Sequence, residues 1–375
     1  MAGIYIHVPY CKSRCIYCDF FTQTNLSSRA DYVSTLCKEI ELRKDYIDKE
    51  IVRTIYFGGG TPSLLSLPDL DKILNTIYKN FTIDPNPEIT LEANPDDISR
   101  EYLRNLKFSL FTRLSLGTQS FNEEELIFLN RRHSAQDAIH VVKDAQDAGF
   151  ENISIDLIYG LPNQSMSIWK KNLETAISLN IQHISAYHLI YEEGTKLFRL
   201  LEQGKVAQTE EELSLEMFTT MIHELKSAGF EHYEISNFAK DQKYSKHNTS
   251  YWLGDKYLGL GPAAHSFDGI DRAFNVASIS KYIDGIAKKT PNIEVEKLSI
   301  ESQYNDFILT GLRTMWGVNL NLLKDRFGDK LLNYCLSNVK KHIDNHKVIQ
   351  ENNNIKLTKE GIFISDSIMS DLMWI

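Results

Sequence analysis

Residues 1–190 repeat one pattern: a short β-rich run, a polar or glycine-rich turn, then a helical stretch. The β-rich runs fall near Gly3–His7, Thr54–Phe57, Glu88–Glu92, Arg113–Gly117, Asn152–Asp156 and His183–His188. Helices are expected between them, among others over Arg29–Tyr46, Leu67–Phe81, Ala135–Ala148 and Ser165–Leu179. Strands that alternate with helices pair in parallel, because each helix is the crossover between neighbouring strands. Six such units predict an α/β fold with an open, partial (β/α)6 barrel rather than a closed eight-stranded one. In such folds chemistry gathers where strands end, and the unusual residues here do follow the strands. Cys11, Cys15 and Cys18 come after the first, and Gly58-Gly59-Gly60-Thr61-Pro62 after the second. Glu92-Ala93-Asn94-Pro95, Gly117-Thr118-Gln119-Ser120-Phe121 and Asp156 with Tyr159-Gly160-Leu161-Pro162 close the next three.

The pattern changes further on. A long helix is expected over Glu210–Ala228, a strand and turn over Phe230–Phe238, and an aromatic, glycine-rich stretch over Lys246–Phe267. From about Leu298 helices dominate, with a β-pair near Val348–Gln350 and Ile355–Leu357 around an Asn352-Asn353-Asn354 turn. The expected organisation is a barrel domain over 1–235, a connecting segment over 236–297 and a small, mostly helical, winged-helix-like domain over 298–375.

Composition bounds function. A 42% hydrophobic, 24% charged chain of 375 residues can bury a sizeable core. Its net charge of −9 argues against general nucleic-acid binding, which needs a basic surface. The N-terminal run Gly3–Val8 lacks the basic region and apolar core of a secretory signal, and no apolar stretch is long enough for a membrane span. A cytoplasmic location is therefore expected.

Three of the five cysteines form Cys11-x3-Cys15-x2-Cys18. A structural zinc site needs four ligands, and no fourth lies nearby. Three thiolates suit three irons of a [4Fe–4S] cubane and leave the fourth iron open to an outside ligand. Zinc and plain packing are the alternatives. Cys37 and Cys335 sit among apolar residues in helical patterns and read as small core hydrophobes.

The loop Tyr5-Ile6-His7-Val8-Pro9-Tyr10-Cys11-Lys12-Ser13-Arg14-Cys15-Ile16-Tyr17-Cys18-Asp19-Phe20 resembles the cluster loop of radical S-adenosylmethionine (SAM) proteins. More narrowly, nearly the whole chain resembles the oxygen-independent coproporphyrinogen oxidase group, and within it the HemW heme chaperones. The resemblance implies a [4Fe–4S] cluster on Cys11, Cys15 and Cys18 whose open iron binds SAM. One electron from such a cluster cleaves SAM to a 5′-deoxyadenosyl radical, with the protein supplying geometry and electrostatics. It places SAM contacts on Tyr5, Gly59, Gly60, Thr61, Glu92, Gln119, Arg131 and Asp156. The chemistry is apt: glycines for close backbone approach, Glu92 for an ammonium or hydroxyl, Gln119 and Asp156 for ribose hydroxyls, and the Arg131 fork for a carboxylate. Tight turns and solvated surface charges are the plain alternatives.

Two functions divide this group. The oxidases decarboxylate two propionates of coproporphyrinogen III; they carry a fourth cysteine two positions after the third, and a long N-terminal extension. Here Phe20 stands at that position and ten residues precede Cys11. The run His247-Asn248-Thr249-Ser250-Tyr251-Trp252 matches a motif associated with heme binding in the chaperone branch. His247 is thereby the expected axial heme ligand, with His188 and His265 as competitors and His7 as a loop-orienting group; aromatic core packing is the alternative. The reading is a heme chaperone, with oxygen-independent coproporphyrinogen III oxidase as the alternative. Its implied partners are heme, apo-hemoprotein clients such as respiratory enzymes, and an electron donor. Peripheral membrane contact and a homodimer are compatible with it.

Overall fold

A computed structural model describes residues 1–375. Twelve strands form its main sheet: β1 (Ala2–Val8), β2 (Val52–Gly59), β3 (Ile83–Ala93), β4 (Arg113–Gln119), β5 (Ile153–Tyr159), β6 (His183–His188), β7 (Glu231–Glu234), β8 (Asn237–Ala239), β9 (Lys256–Leu260), β10 (His265–Phe267), β11 (Arg272–Asn275) and β12 (Ile293–Glu296). β1 to β6 lie side by side, parallel and in chain order. The two-residue period of each strand gives the curled sheet two different faces. In β5, Ile153, Ile155 and Leu157 are fully buried and belong to the large apolar core shared with Trp169 and Leu173 of the helix Met166–Ser178. Ser154 and Asp156 alternate with them and meet His183 and Ser185 of β6. One face is thus apolar and helix-covered, and the other polar and interior.

The returning helices start where the sequence offers a cap. Ser66, Ser99, Ser134 and Ser165 each accept a backbone N–H three residues on, and Ser134 forms a reciprocal box with Asp137. Such caps contribute about 1 kcal/mol each and fix where each loop ends.

Residues 236–297, expected to connect two domains, instead add strands to both sides of the sheet. β8 pairs antiparallel with β6, while β9 pairs parallel with β1 and leads into antiparallel β10, β11 and β12. Beside the six expected strands, β9 makes a seventh parallel one. The physical reason is edge coverage: β1 would otherwise leave a row of unpaired backbone groups. A buried network fastens this return. Glu39 of the helix Arg29–Leu42 accepts from the Gly261 N–H (2.8 Å), Asn275 Nδ2 (2.7 Å) and Tyr282 OH (2.7 Å).

The C-terminal region has its own core, around Tyr304, Ile308, Leu323 and Cys335. Helices Ile300–Leu312 and Leu320–Asp344 pack with a three-stranded antiparallel sheet, in which Val318–Asn319 and Val348–Glu351 flank Asn354–Leu357. The hairpin turns at Asn352 and Asn353, both with positive φ (47° and 64°), which asparagine tolerates better than most residues.

Candidate functional site

The strand ends of the barrel open into one cavity of about 450 Å³. Cys11, Cys15, Cys18, Gly59, Gly60, Thr61, Glu92, Gln119, Arg131 and Asp156 all line it. Of the residues expected here, only Tyr5 and His247 do not.

The cysteine loop is pinned at several points. The Cys11 N–H donates to the Gln23 carbonyl (3.0 Å), Ile16 N–H to Leu129, and Asn130 Nδ2 to the Arg14 carbonyl (2.8 Å). Lys12 is paired with Asp97 at 2.5 Å, whose side chain is 1% exposed. Two donors address the thiols themselves: Thr61 Oγ1 to Cys11 Sγ (3.5 Å) and Arg131 Nη1 to Cys15 Sγ (3.3 Å). Burial pushes the Cys11 thiol up and that of Cys18 to about 11, so ionisation on ligation needs compensating positive charge. Arg131, half-buried beside Cys15, lowers the Cys11 thiol in that direction. No three His, Cys, Asp or Glu side chains converge tightly enough to enclose a single ion. A cubane makes a different demand, one thiolate per iron spread over its faces, and three cavity-lining thiols with a cationic neighbour fit it.

The glycines have a reason of their own. Gly59 has φ 101°, and a Cβ there would stand 2.6 Å from His7 Nδ1; at Gly60 it would stand 2.6 Å from the Tyr10 carbonyl oxygen. The close approach they permit is therefore first that of the turn to the cysteine loop. Gln119 sits at φ 67° where the β4–β5 register shifts, a bulge that re-aims a strand end. Arg131 Nη2 donates to Asn94 Oδ1 (2.6 Å) and the Gly117 carbonyl (2.5 Å), while its Nε is buried without a partner. That fork is held rigid at the cavity wall. Glu92 accepts from Tyr56 OH (2.6 Å). Burial is the main cause that raises Glu92 to about 7 and Asp156 to about 6.

Tyr5 lies behind the wall, its hydroxyl 3.2 Å from His7 Nδ1. His7 Nε2 meets the Phe21 carbonyl oxygen at 2.9 Å and so braces the cysteine loop. Asn94 was not singled out from sequence, although it sits at a strand end; it links Arg131 to Thr61 Oγ1 (3.1 Å).

The structure does not bring His247 to the cavity. It belongs to the helix Lys246–Trp252, which packs against β1 and β2 beside the strand starts, away from the cavity. Its Nδ1 is 2.7 Å from Thr54 Oγ1, its Nε2 2.7 Å from Tyr251 OH, and its ring stacks on Tyr56. Burial drives its pKa down to about 3, so it is neutral, and no ring nitrogen is free for iron. The motif packs against β1 and β2, and Trp252 lies under the Arg313 guanidinium of the C-terminal region. His247→Ala should lower unfolding stability by about 2 kcal/mol through the unpaired Thr54 and the lost stack. Chemical denaturation measures this, and a variant as stable as wild type contradicts the packing role. Of the competitors, His188 lines the cavity rim with Nε2 3.1 Å from Ser214 Oγ, and exposed His265 stacks on Phe274. Cys37 and Cys335 pack into the two cores.

Comparison with known proteins agrees with this geometry. The radical SAM superfamily profile matches residues 5–176, and that of the HemN C-terminal domain residues 298–364. The chain is 34% identical over 373 residues to Heme chaperone HemW of Bacillus subtilis, covering 98% of each. It is 31% identical over 370 residues to Heme chaperone HemW of Lactococcus lactis, covering 98% of this chain and 96% of the relative. Coproporphyrinogen III oxidase (HemN) from Escherichia coli, a radical SAM enzyme, superposes with a TM-score of 0.85, covering 99% of this chain and 90% of that one at 21% identity. That likeness is one of fold.

Proposed function

Because the chain belongs to the HemW heme-chaperone family of the radical SAM superfamily, we propose that it binds heme and passes it to apo-hemoproteins. The observation that carries this reading beyond family membership is the rim of the cavity. Phe20 and Ile190 are each 63% exposed there, and Tyr187 is 43% exposed beside them. Phe20 occupies the position at which the oxidases carry their fourth cysteine. An apolar, partly aromatic rim suits the face of a macrocycle, whose burial is driven by removal of apolar area from water. Heme held there would be beside the cysteine loop, since Phe20 and the three cysteines line the same cavity.

Cys11, Cys15 and Cys18 would hold three irons of the cluster. Glu92, Gln119, Arg131, Asp156 and the Gly59–Thr61 backbone would hold SAM. When bound, the cluster supplies single electrons. The chain's own part is to keep the thiols beside Arg131, to present two carboxylates from the interior and to exclude water behind the rim. We place the protein in the cytoplasm, with an electron donor and client hemoproteins as partners. Five unpaired cysteines suit a reducing compartment, and no helix is long and apolar enough to cross a membrane.

Purified protein mixed with heme should develop a Soret band. Phe20→Ser combined with Ile190→Ser should weaken heme binding about tenfold or more, as expected for two apolar contacts. His247→Ala should leave the spectrum of bound heme unchanged. The same protein, reconstituted and reduced with SAM, should not convert coproporphyrinogen III. Turnover at rates suited to biosynthesis would replace the chaperone reading with the oxidase one.

A further inference from the structure

Two side-chain donors reach the cysteine sulfurs, Thr61 Oγ1 at Cys11 (3.5 Å) and Arg131 Nη1 at Cys15 (3.3 Å). They come from different parts of the barrel mouth, one after β2 and one beyond β4. A single side chain nevertheless touches both. Asn94, just after β3, accepts from Arg131 Nη2 at its Oδ1 (2.6 Å) and donates from its Nδ2 to Thr61 Oγ1 (3.1 Å).

The partners fix which end of the amide faces which. A guanidinium can only donate, so the group facing Arg131 is the amide oxygen. The nitrogen then faces Thr61. It also donates to Asp97 Oδ2 (3.4 Å), a carboxylate oxygen held by Lys12 and Arg132 and so an acceptor. The consequence falls on Thr61. Its oxygen is engaged as an acceptor by Asn94, so its one proton is directed elsewhere, and Cys11 Sγ is the acceptor it meets. Thr61 is 2% exposed, and its N–H is tied to the Tyr10 carbonyl (2.7 Å), which holds the hydroxyl beside Cys11 and away from bulk water.

We infer that Asn94 is a positioning residue for the cluster: it holds Thr61 and Arg131 as hydrogen-bond donors to the sulfurs of Cys11 and Cys15, and so sets the reduction potential. Hydrogen bonds to cluster sulfurs stabilise the negative charge added on reduction and raise the potential. Neighbouring hydrogen bonds also polarise one another, so an amide donating to the Thr61 oxygen strengthens the donation of its proton to sulfur. The inference rests on the cluster reading of the three thiols and assigns the surrounding side chains a part in electron uptake.

The test is the reduction potential of reconstituted protein without SAM, read anaerobically from the electron paramagnetic resonance signal of the reduced cluster at poised potentials. Thr61→Val keeps the shape and loses the hydroxyl. It should be about tenfold harder to reduce, a fall of about 59 mV for one electron. Asn94→Leu, with the same branching but neither donor nor acceptor, should fall at least as far, because both donors lose their support. Thr61→Ser keeps the hydroxyl and should stay near wild type. The double variant of Thr61→Val with Asn94→Leu should fall by less than the two single shifts together, because Asn94 acts partly through Thr61.

A wild-type potential in Thr61→Val or Asn94→Leu, a Thr61→Ser potential as low as that of Thr61→Val, or strictly additive shifts in the double variant overturns the inference. Iron content is matched before each measurement. Thr61→Ala and Asn94→Ala carry the same expectations where the larger replacements do not load iron. Variants at both positions that never load, beside a loaded Thr61→Ser, mean that these residues build the site instead of tuning it, and also overturn the inference. Wild-type protein that binds no cluster would remove the cluster reading together with this one. Loaded variants at an unmoved potential remove only the role of Asn94.

Discussion

Cys15→Ala protein, reconstituted anaerobically, should retain essentially no cluster, where wild type should bind about four irons per chain. Only three thiols line the cavity, and each is needed for one iron. No spare can move in: Cys37 packs against the main core and Cys335 is sealed in the C-terminal one. Cys15 is also the thiol that receives the Arg131 guanidinium at 3.3 Å, so its loss leaves that half-buried charge without its sulfur partner. Iron analysis and the brown absorbance measure the outcome. Cys37→Ala and Cys335→Ala should keep both. Wild-type iron content in the Cys15→Ala protein would sink the cluster assignment.

Arg131→Ala should weaken SAM binding to cluster-loaded protein by up to about 3 kcal/mol, roughly 100-fold, the scale of a lost charge-assisted bond. The size of the effect follows from rigidity. The guanidinium is already held by Asn94 and the Gly117 carbonyl, so it meets a carboxylate without further ordering. Arg131→Lys keeps the charge but not the planar fork and should recover only part of the affinity. Titration of iron-matched samples decides it, because Arg131 also touches Cys15 and a change in cluster loading must be kept separate. Unchanged affinity in the alanine variant would remove Arg131 from the SAM site.

What the sequence determined by itself was local in origin. The two-residue period of β1 to β6, the serine caps and the turn at Asn352-Asn353 are settled by neighbours in the chain, and these elements stand where the pattern puts them. Because parallel units expose their functional ends on one side, nearly every SAM and cluster residue expected from a strand end also lines the one cavity. Tertiary structure alone decided the matters that join distant residues. The pairing of β9 with β1 links residues some 250 positions apart and answers the needs of an open edge, which no window of sequence contains. His247 looked like a ligand because histidine beside tyrosine and tryptophan serves packing and coordination equally well. Only the placement of Thr54 and Tyr251 at its two nitrogens separates the roles.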